Sequence, residues 1–319
     1  MSVRLRPLGK TGLVVSELSL GTWGLSGDGY GPLPPEEAEK VIARALEIGF
    51  TLFDTADSYG GGAMEVLLGR LLREHARGKD AVVVTKIGTD RTTDPARKRF
   101  EPEFLRARAE ASRKRLGRER LDLLLLHNPS PDALHLGEAT SLLADLKKEG
   151  LIAHWGVSAG DAEVGRAAID KGAEVVELGY NLLHAVDLHR LAGDAMVSGA
   201  GVLARSTLAH GLLAGTWTKE REFKEPDHRA DRWTKLELER RLEQLESLRF
   251  LVKGDVRTLR GAAVRFALAN HLVSSAVLGP RSVEQLEQLV RETGAGPRYL
   301  PDDDLVALPR ALGRVGILT

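Results

Sequence analysis

Leu121-Asp122-Leu123-Leu124-Leu125-Leu126-His127, a helical pattern over 137–148, and then Ile152-Ala153-His154-Trp155-Gly156-Val157-Ser158 together decide the fold. A run of leucines with no polar alternation belongs to a strand buried on both faces, the habit of parallel sheets. The segment between, with Leu142, Leu143 and Leu146 at helical spacing, is long enough to cross back over the sheet. Working outward, the same strand-then-helix rhythm recurs. Strands read at 17–21, 51–54, 81–86, 175–180, Gly201–Arg205 and 274–278; helices read at Pro35–Ile48, 64–75, Pro102–Leu116, 162–171, 258–270 and 282–292.

Eight such strands predict an α/β architecture, a closed (β/α)8 TIM barrel, with residues 1–319 forming one domain. Two additions are expected. Residues 3–8 and 13–15 flank Gly9-Lys10-Thr11-Gly12 as an N-terminal hairpin that plugs one barrel end. After the seventh strand, about 50 residues are too many for a structureless loop. Leu238, Leu242, Leu245 and Leu248 predict an extra helix there, and 216–232 a lid.

Composition excludes several classes. Forty-five basic and forty-five acidic residues leave no global field for nucleic acid or an anionic membrane. The chain has no cysteine, hence no disulfide and no thiolate site. No uncharged apolar run is long enough to span a bilayer, and the N-terminus lacks a signal-like apolar segment, so a cytoplasmic enzyme is expected.

In this fold active sites collect at the C-terminal ends of the strands, so polar residues there are informative. Asp54 ends a strand, Tyr59 follows in its loop, Lys86 ends the next strand and His127 the next. Singly, each reads as a cap, a snorkelling lysine or a backbone-bonded histidine. Together they fit carbonyl reduction. Tyr59 is the acid, the Lys86 ammonium eases its proton release, Asp54 offsets the buried ammonium, and neutral His127 orients the substrate oxygen.

Asp54, Tyr59, Lys86 and His127 in this order and spacing resemble the tetrad of the aldo-keto reductase family. The resemblance runs along the chain through Gly21-Thr22-Trp23, Phe53-Asp54-Thr55-Ala56-Asp57-Ser58-Tyr59-Gly60, Leu126-His127-Asn128-Pro129, Trp155-Gly156-Val157-Ser158, Tyr180-Asn181 and Gly279-Pro280-Arg281-Ser282. It implies an NADPH (NADP+) cofactor, NADH remaining open, and a small-molecule carbonyl or alcohol substrate. Thr22, Trp23, Asp54 and Ser158 would be among its cofactor contacts. The family pattern of Ser, Asn, Gln and a stacking Tyr at the nicotinamide end survives only at Ser158. Ala159, Glu177 and Arg205 stand at the other three places, and Leu289 where Asn is common near the adenine. Glu177 can still accept from a carboxamide, and a guanidinium can still stack.

Phosphates in TIM barrels favour the loops after strands seven and eight. Ser206, Leu208 and Gly211 would therefore wrap the pyrophosphate, Gly279 and Arg281 would open the last helix with Arg281 forking a 2′-phosphate, and Gln285 would reach the adenine. Gly27, Gly29 and Gly31 do not form a Rossmann fingerprint, because Pro32, Pro34 and Pro35 follow them. They make a loop at the pocket rim, with Tyr30 as a substrate contact.

Trp23 reads equally as pocket lining or packing. Trp217, Phe223 and Trp233 read as pins for the lid, and Arg97-Lys98-Arg99 as a solvated loop. His75, His154, His184 and His210 lack metal-ligand spacing, so no metal is expected. Two rivals stand beside the reductase: a nicotinamide-nucleotide-sensing regulatory subunit with weak reductase activity, and a metal-dependent hydrolase. An oligomer through residues 307–319 is left open.

Overall fold

A computed structural model describes residues 3–318 except 94, 295 and 298. Strands β1 (Leu5–Pro7) and β2 (Val14–Ser16) form an antiparallel hairpin. Eight parallel strands then close in chain order: β3 (Leu18–Gly21), β4 (Leu52–Asp54), β5 (Val82–Ile87), β8 (Leu121–His127), β9 (Ile152–Ser158), β10 (Val175–Gly179), β11 (Gly201–Arg205) and β12 (Val273–Leu278). Between β5 and β8 a small antiparallel pair intervenes, β6 (Thr89–Asp90) with β7 (Arg97–Lys98).

Helices clothe the barrel: α1 (Pro35–Ile48), α2 (Ala63–Glu74), α3 (Pro102–Leu116), α4 (Pro131–His135), α5 (Glu138–Lys148), α6 (Ala162–Asp170), α7 (Val186–Ser198), α8 (Lys235–Glu246), α9 (Leu259–Ala269), α10 (Val283–Thr293) and α11 (Asp302–Gly313). Their starts obey local chemistry. Asp161, Thr234, Thr258 and Ser282 each accept a backbone N–H of the first turn, and Thr234 with Glu237 closes a capping box. The extra helix expected after the seventh barrel strand is α8. Helices α7, α4 and α11 and the pair β6/β7 were not anticipated. No helix among the described residues is long and apolar enough to cross a membrane.

Side chains alternate across a strand, so one parity of each barrel strand points inward. At the N-terminal end that parity is apolar: Leu52, Val84, Leu123, Leu125, Val175 and Leu203 fill the tube, joined by Leu8 and Val15 of the hairpin. The hairpin is therefore a plug, as the sequence implied. Its turn fits at Gly9, whose φ of +52° is unusual for other residues and whose missing Cβ would lie 2.3 Å from Gly201 N. Lys10 N donates to Gly199 O at 2.8 Å, tying the plug to the barrel. The other parity packs under the helices. The C-terminal α11 buries Leu308 and Leu312 against this same outer core.

Candidate active site

Two residues beyond each inward apolar position, the same parity turns polar: Leu52 gives way to Asp54, Val84 to Lys86, Leu125 to His127, Val175 to Glu177 and Leu203 to Arg205. Asp54 pairs in register with Val84, and Glu177 with both Ser158 and Leu203, so these groups are staggered from strand to strand around the C-terminal end of the tube. Above it opens a cavity of about 1100 Å³.

The Lys86 ammonium is 1% exposed, which demands counter-charge. It donates to Asp54 Oδ2 and to Thr55 O at 3.1 Å, and lies 3.3 Å from Glu177 Oε2. It also stands 5.5 Å from the centroid of the Tyr59 ring. Burial works against this ammonium, but Asp54 and Glu177 outweigh it and hold it above the ordinary lysine range. Burial, then Glu177, push Asp54 up against the pull of Lys86. Two carboxylates thus flank one ammonium.

Tyr59 is carried on a turn after β4 that passes through Gly60, Gly61 and Gly62, all at positive φ. The turn is anchored from the neighbouring strand, with Thr55 N donating to Val84 O and Asp57 N to Lys86 O. Burial raises the Tyr59 phenol, and the lowering influence of Lys86 only partly offsets this. The His127 ring meets Tyr59 edge-on, 6.0 Å between centroids. Burial, then Lys98, then Lys86 depress its pKa, so it is neutral near pH 7. Its Nδ1 lies 3.4 Å from Thr89 Oγ1. Lys98 Nζ donates to that hydroxyl at 2.7 Å and to His127 O at 2.8 Å. While accepting from Lys98 the Thr89 hydroxyl can donate its own proton to Nδ1, an arrangement that puts the imidazole N–H on Nε2.

The residues expected at the nicotinamide end also converge. Ser158 Oγ donates to Glu177 Oε1 at 3.3 Å, and Arg205 Nη2 to Ala159 O at 3.0 Å, its Nε lying 3.8 Å from Glu177 Oε1. Glu177 Oε2, despite its nearness to Lys86, receives no aligned hydrogen bond and is buried. Such an orphaned acceptor fits the NH₂ of a carboxamide. Thr22 is spent inside the protein, its N–H and Oγ1 both donating to Asp54 O.

The loop after β11 holds Ser206, Ala209, His210 and Gly211 at positive φ, a tight curl. Its Ala209 and Gly211 N–H groups donate to Ser206 O and Leu208 O within the loop. Arg281 departs from the simple phosphate fork: Nη1 donates to Tyr30 O at 2.6 Å, and Nη2 to Gly31 O at 2.8 Å and Pro32 O at 3.0 Å. Only Nε is left without a partner. Gln285 Oε1 accepts from Arg281 N, while Gly279 lines the cavity beside them.

Over the mouth lies a roof. Tyr30 and Asp227 form a β-bridge, and His228 N donates to Gly29 O at 2.9 Å. Arg229, paired with Asp227, spreads its guanidinium over Tyr30 and Phe223 at 4.7 and 4.6 Å. Trp217 packs on Phe223 and Trp233 at 5.0 and 5.9 Å. Trp23 both lines the cavity and packs on Tyr30 and His228, so its two readings merge.

The basic run 97–99 is not a solvated loop. Arg97 and Arg99 pair with Asp90 across β6/β7, and Lys98 reaches the cavity. Sequence reasoning misses Thr89 and Lys98 as site residues because two-residue strands have no period to read. No metal-holding cluster occurs among the described residues.

Residues 17–295 match the profile of the Aldo/keto reductase family. L-glyceraldehyde 3-phosphate reductase of Escherichia coli is 28% identical over 306 residues, spanning 91% of this chain and 87% of that protein. NADH-specific methylglyoxal reductase of the same species is 31% identical over 229 residues, 67% of this chain and 70% of that protein. Among solved structures, glycerol dehydrogenase from Gluconobacter oxydans superposes with a TM-score of 0.84 at 26% identity, covering 99% of this chain and 97% of that one. A plugged eight-stranded barrel, a charged ring at its mouth and a match over most of the sequence agree: the chain belongs to the aldo/keto reductase family and is an NAD(P)H-dependent oxidoreductase.

Proposed function

We propose that this protein reduces small aldehydes or ketones, or oxidises the corresponding alcohols, with NADPH as the preferred nucleotide and Tyr59 as the proton donor. The observation that carries the reading is the buried Lys86 ammonium, held by Asp54 and facing the Tyr59 ring, with His127 edge-on to that same ring.

The nucleotide, when bound, supplies the hydride to the carbonyl carbon. Tyr59 gives its phenolic proton to the carbonyl oxygen. Lys86 then stabilises the phenolate left behind, and Asp54 holds Lys86 in place. His127 presents Nε2–H to the carbonyl oxygen before transfer and fixes its direction. Glu177 and Ser158 hold the carboxamide, with Arg205 beside them. The roof of Tyr30, Asp227 and Arg229 keeps water from the ring of charges.

Arg281 supports a 2′-phosphate by position, at the start of α10 on the cavity wall. To take it, the guanidinium exchanges the carbonyls of Tyr30, Gly31 and Pro32 for phosphate oxygens, and that exchange makes the preference for NADPH over NADH a modest one.

The test is nucleotide oxidation followed by absorbance against a panel of carbonyls, comparing wild type with Tyr59→Phe while nucleotide binding is tracked by fluorescence. Turnover lost with binding retained supports the reading. Tight binding with no turnover of any carbonyl would replace it with the sensing role.

A further inference from the structure

Among the described residues most cations lining the cavity are already engaged, and two, Lys98 and Arg221, have no carboxylate within ion-pair distance; Arg221 instead lies over the Phe223 ring of the roof. Arg91 is paired with Asp28, Arg229 with Asp227 and Arg260 with Glu292, while Arg281 is tied to three carbonyls. Lys98 has no carboxylate within ion-pair distance among the described residues. Its Nζ uses two of its three N–H bonds, on Thr89 Oγ1 and His127 O, and the third is left for a ligand. The Lys98 stem is exposed, yet partial burial of the amine, only partly offset by Asp57, draws its pKa down to about 8. An ammonium so placed gains from any anion that enters.

Its position gives the anion a purpose. Lys98 lines the same cavity as Tyr59 and His127, and one hydroxyl, that of Thr89, joins its amine to the His127 ring. A carbonyl held at Tyr59 and His127 would therefore bring a charged group a short chain away into reach of Nζ. We infer that Lys98 is a specificity residue that binds an anionic group, phosphate or carboxylate, on a short aldehyde or ketone substrate. This rests on the reductase reading above. It defines the substrate class as charged carbonyl compounds.

The experiment measures calorimetric binding of glycerol 3-phosphate, succinate and glycerol to the full protein, with and without saturating NADPH. Wild type is compared with Lys98→Met and Lys98→Arg, and retained NADPH binding by each variant reports its folding. The expected result is that one anion binds wild type, that Lys98→Met weakens it roughly 10- to 100-fold and that Lys98→Arg restores most of the loss. Which anion binds separates phosphate from carboxylate. In turnover, the preference for glyceraldehyde 3-phosphate over glyceraldehyde, or for succinic semialdehyde over butanal, falls by a similar factor in Lys98→Met. The inference is overturned if neither anion binds wild type, if Lys98→Met binds it equally well, or if that variant loses charged and neutral substrates in equal proportion. Anion binding that depends on Lys98 without turnover of any carbonyl would support the anion site and sink the reductase reading instead.

Discussion

The two ends of the barrel are built from the same strands and the same inward parity, yet they differ in kind. At the floor, Leu52, Val84, Leu123, Val175 and Leu203 meet the hairpin's Leu8 and Val15 in an apolar layer. One step up, Asp54, His127, Glu177 and Arg205 face the cavity, with Lys86 buried between Asp54 and Glu177. A β-strand can make this switch in two residues because its side-chain direction repeats every second position. Stability and chemistry are thereby stacked along one axis, and substitutions at the two levels should fail in different ways.

The sharpest contrast comes from Tyr59→Phe. Removing only the phenolic proton should lower kcat about 10²- to 10⁴-fold while leaving thermal stability and nucleotide affinity near wild type, as read by steady-state kinetics, melting and fluorescence titration. A small loss would mean that the proton comes from elsewhere, and the mouth would no longer be the seat of the chemistry. At the floor, Leu123→Ala should cost about 2–5 kcal/mol in denaturant unfolding, because the surrounding barrel cannot collapse onto the cavity. Its kcat per folded molecule should stay within a few-fold of wild type. Collapse of kcat at full stability would break the division between the two levels.

A smaller effect is expected at the rim. Arg281→Met should weaken NADPH by about 10-fold, from loss of a charge-assisted contact, and NADH much less. Equal weakening of both nucleotides would assign Arg281 to the loop 30–32 alone. The smallest change is expected from Glu177→Gln. Glu177 raises the Tyr59 pKa, so its neutralisation lowers that pKa. Because reduction needs the protonated phenol, the alkaline limb of the pH–rate profile should move to lower pH by a fraction of a unit. An upward move would reverse the assigned sign. No limb should arise from His127 near its ordinary pKa, since burial and Lys98 keep it neutral.

Most of the barrel is legible in the sequence because its strands are short apolar runs with a polar residue at the mouth. Asp54, Lys86 and His127 are visible by that break in hydropathy alone. What could not be read has physical causes. In α7 the exposed Met196 and Val197 spread apolar residues beyond the face that buries Leu188, Leu191 and Ala195, which blurs the helical period. In α11, Pro309 inside the helix reads as a break. Lys98 sits in a two-residue strand, and the carbonyls that hold Arg281 come from about 250 residues away in sequence. Register and long-range contact carry that information, and local pattern does not.

The β1–β2 hairpin, which precedes the residues matched by the family profile, also sets a boundary for solvent. A barrel is a tube, and Leu8 and Val15 stopper its far end. Lys86 and its two carboxylates consequently sit in a well open only at the top, where the arriving molecules displace the water. The dielectric around the Tyr59 phenol is thus governed in part by the hairpin Leu5–Ser16 at the opposite end of the tube.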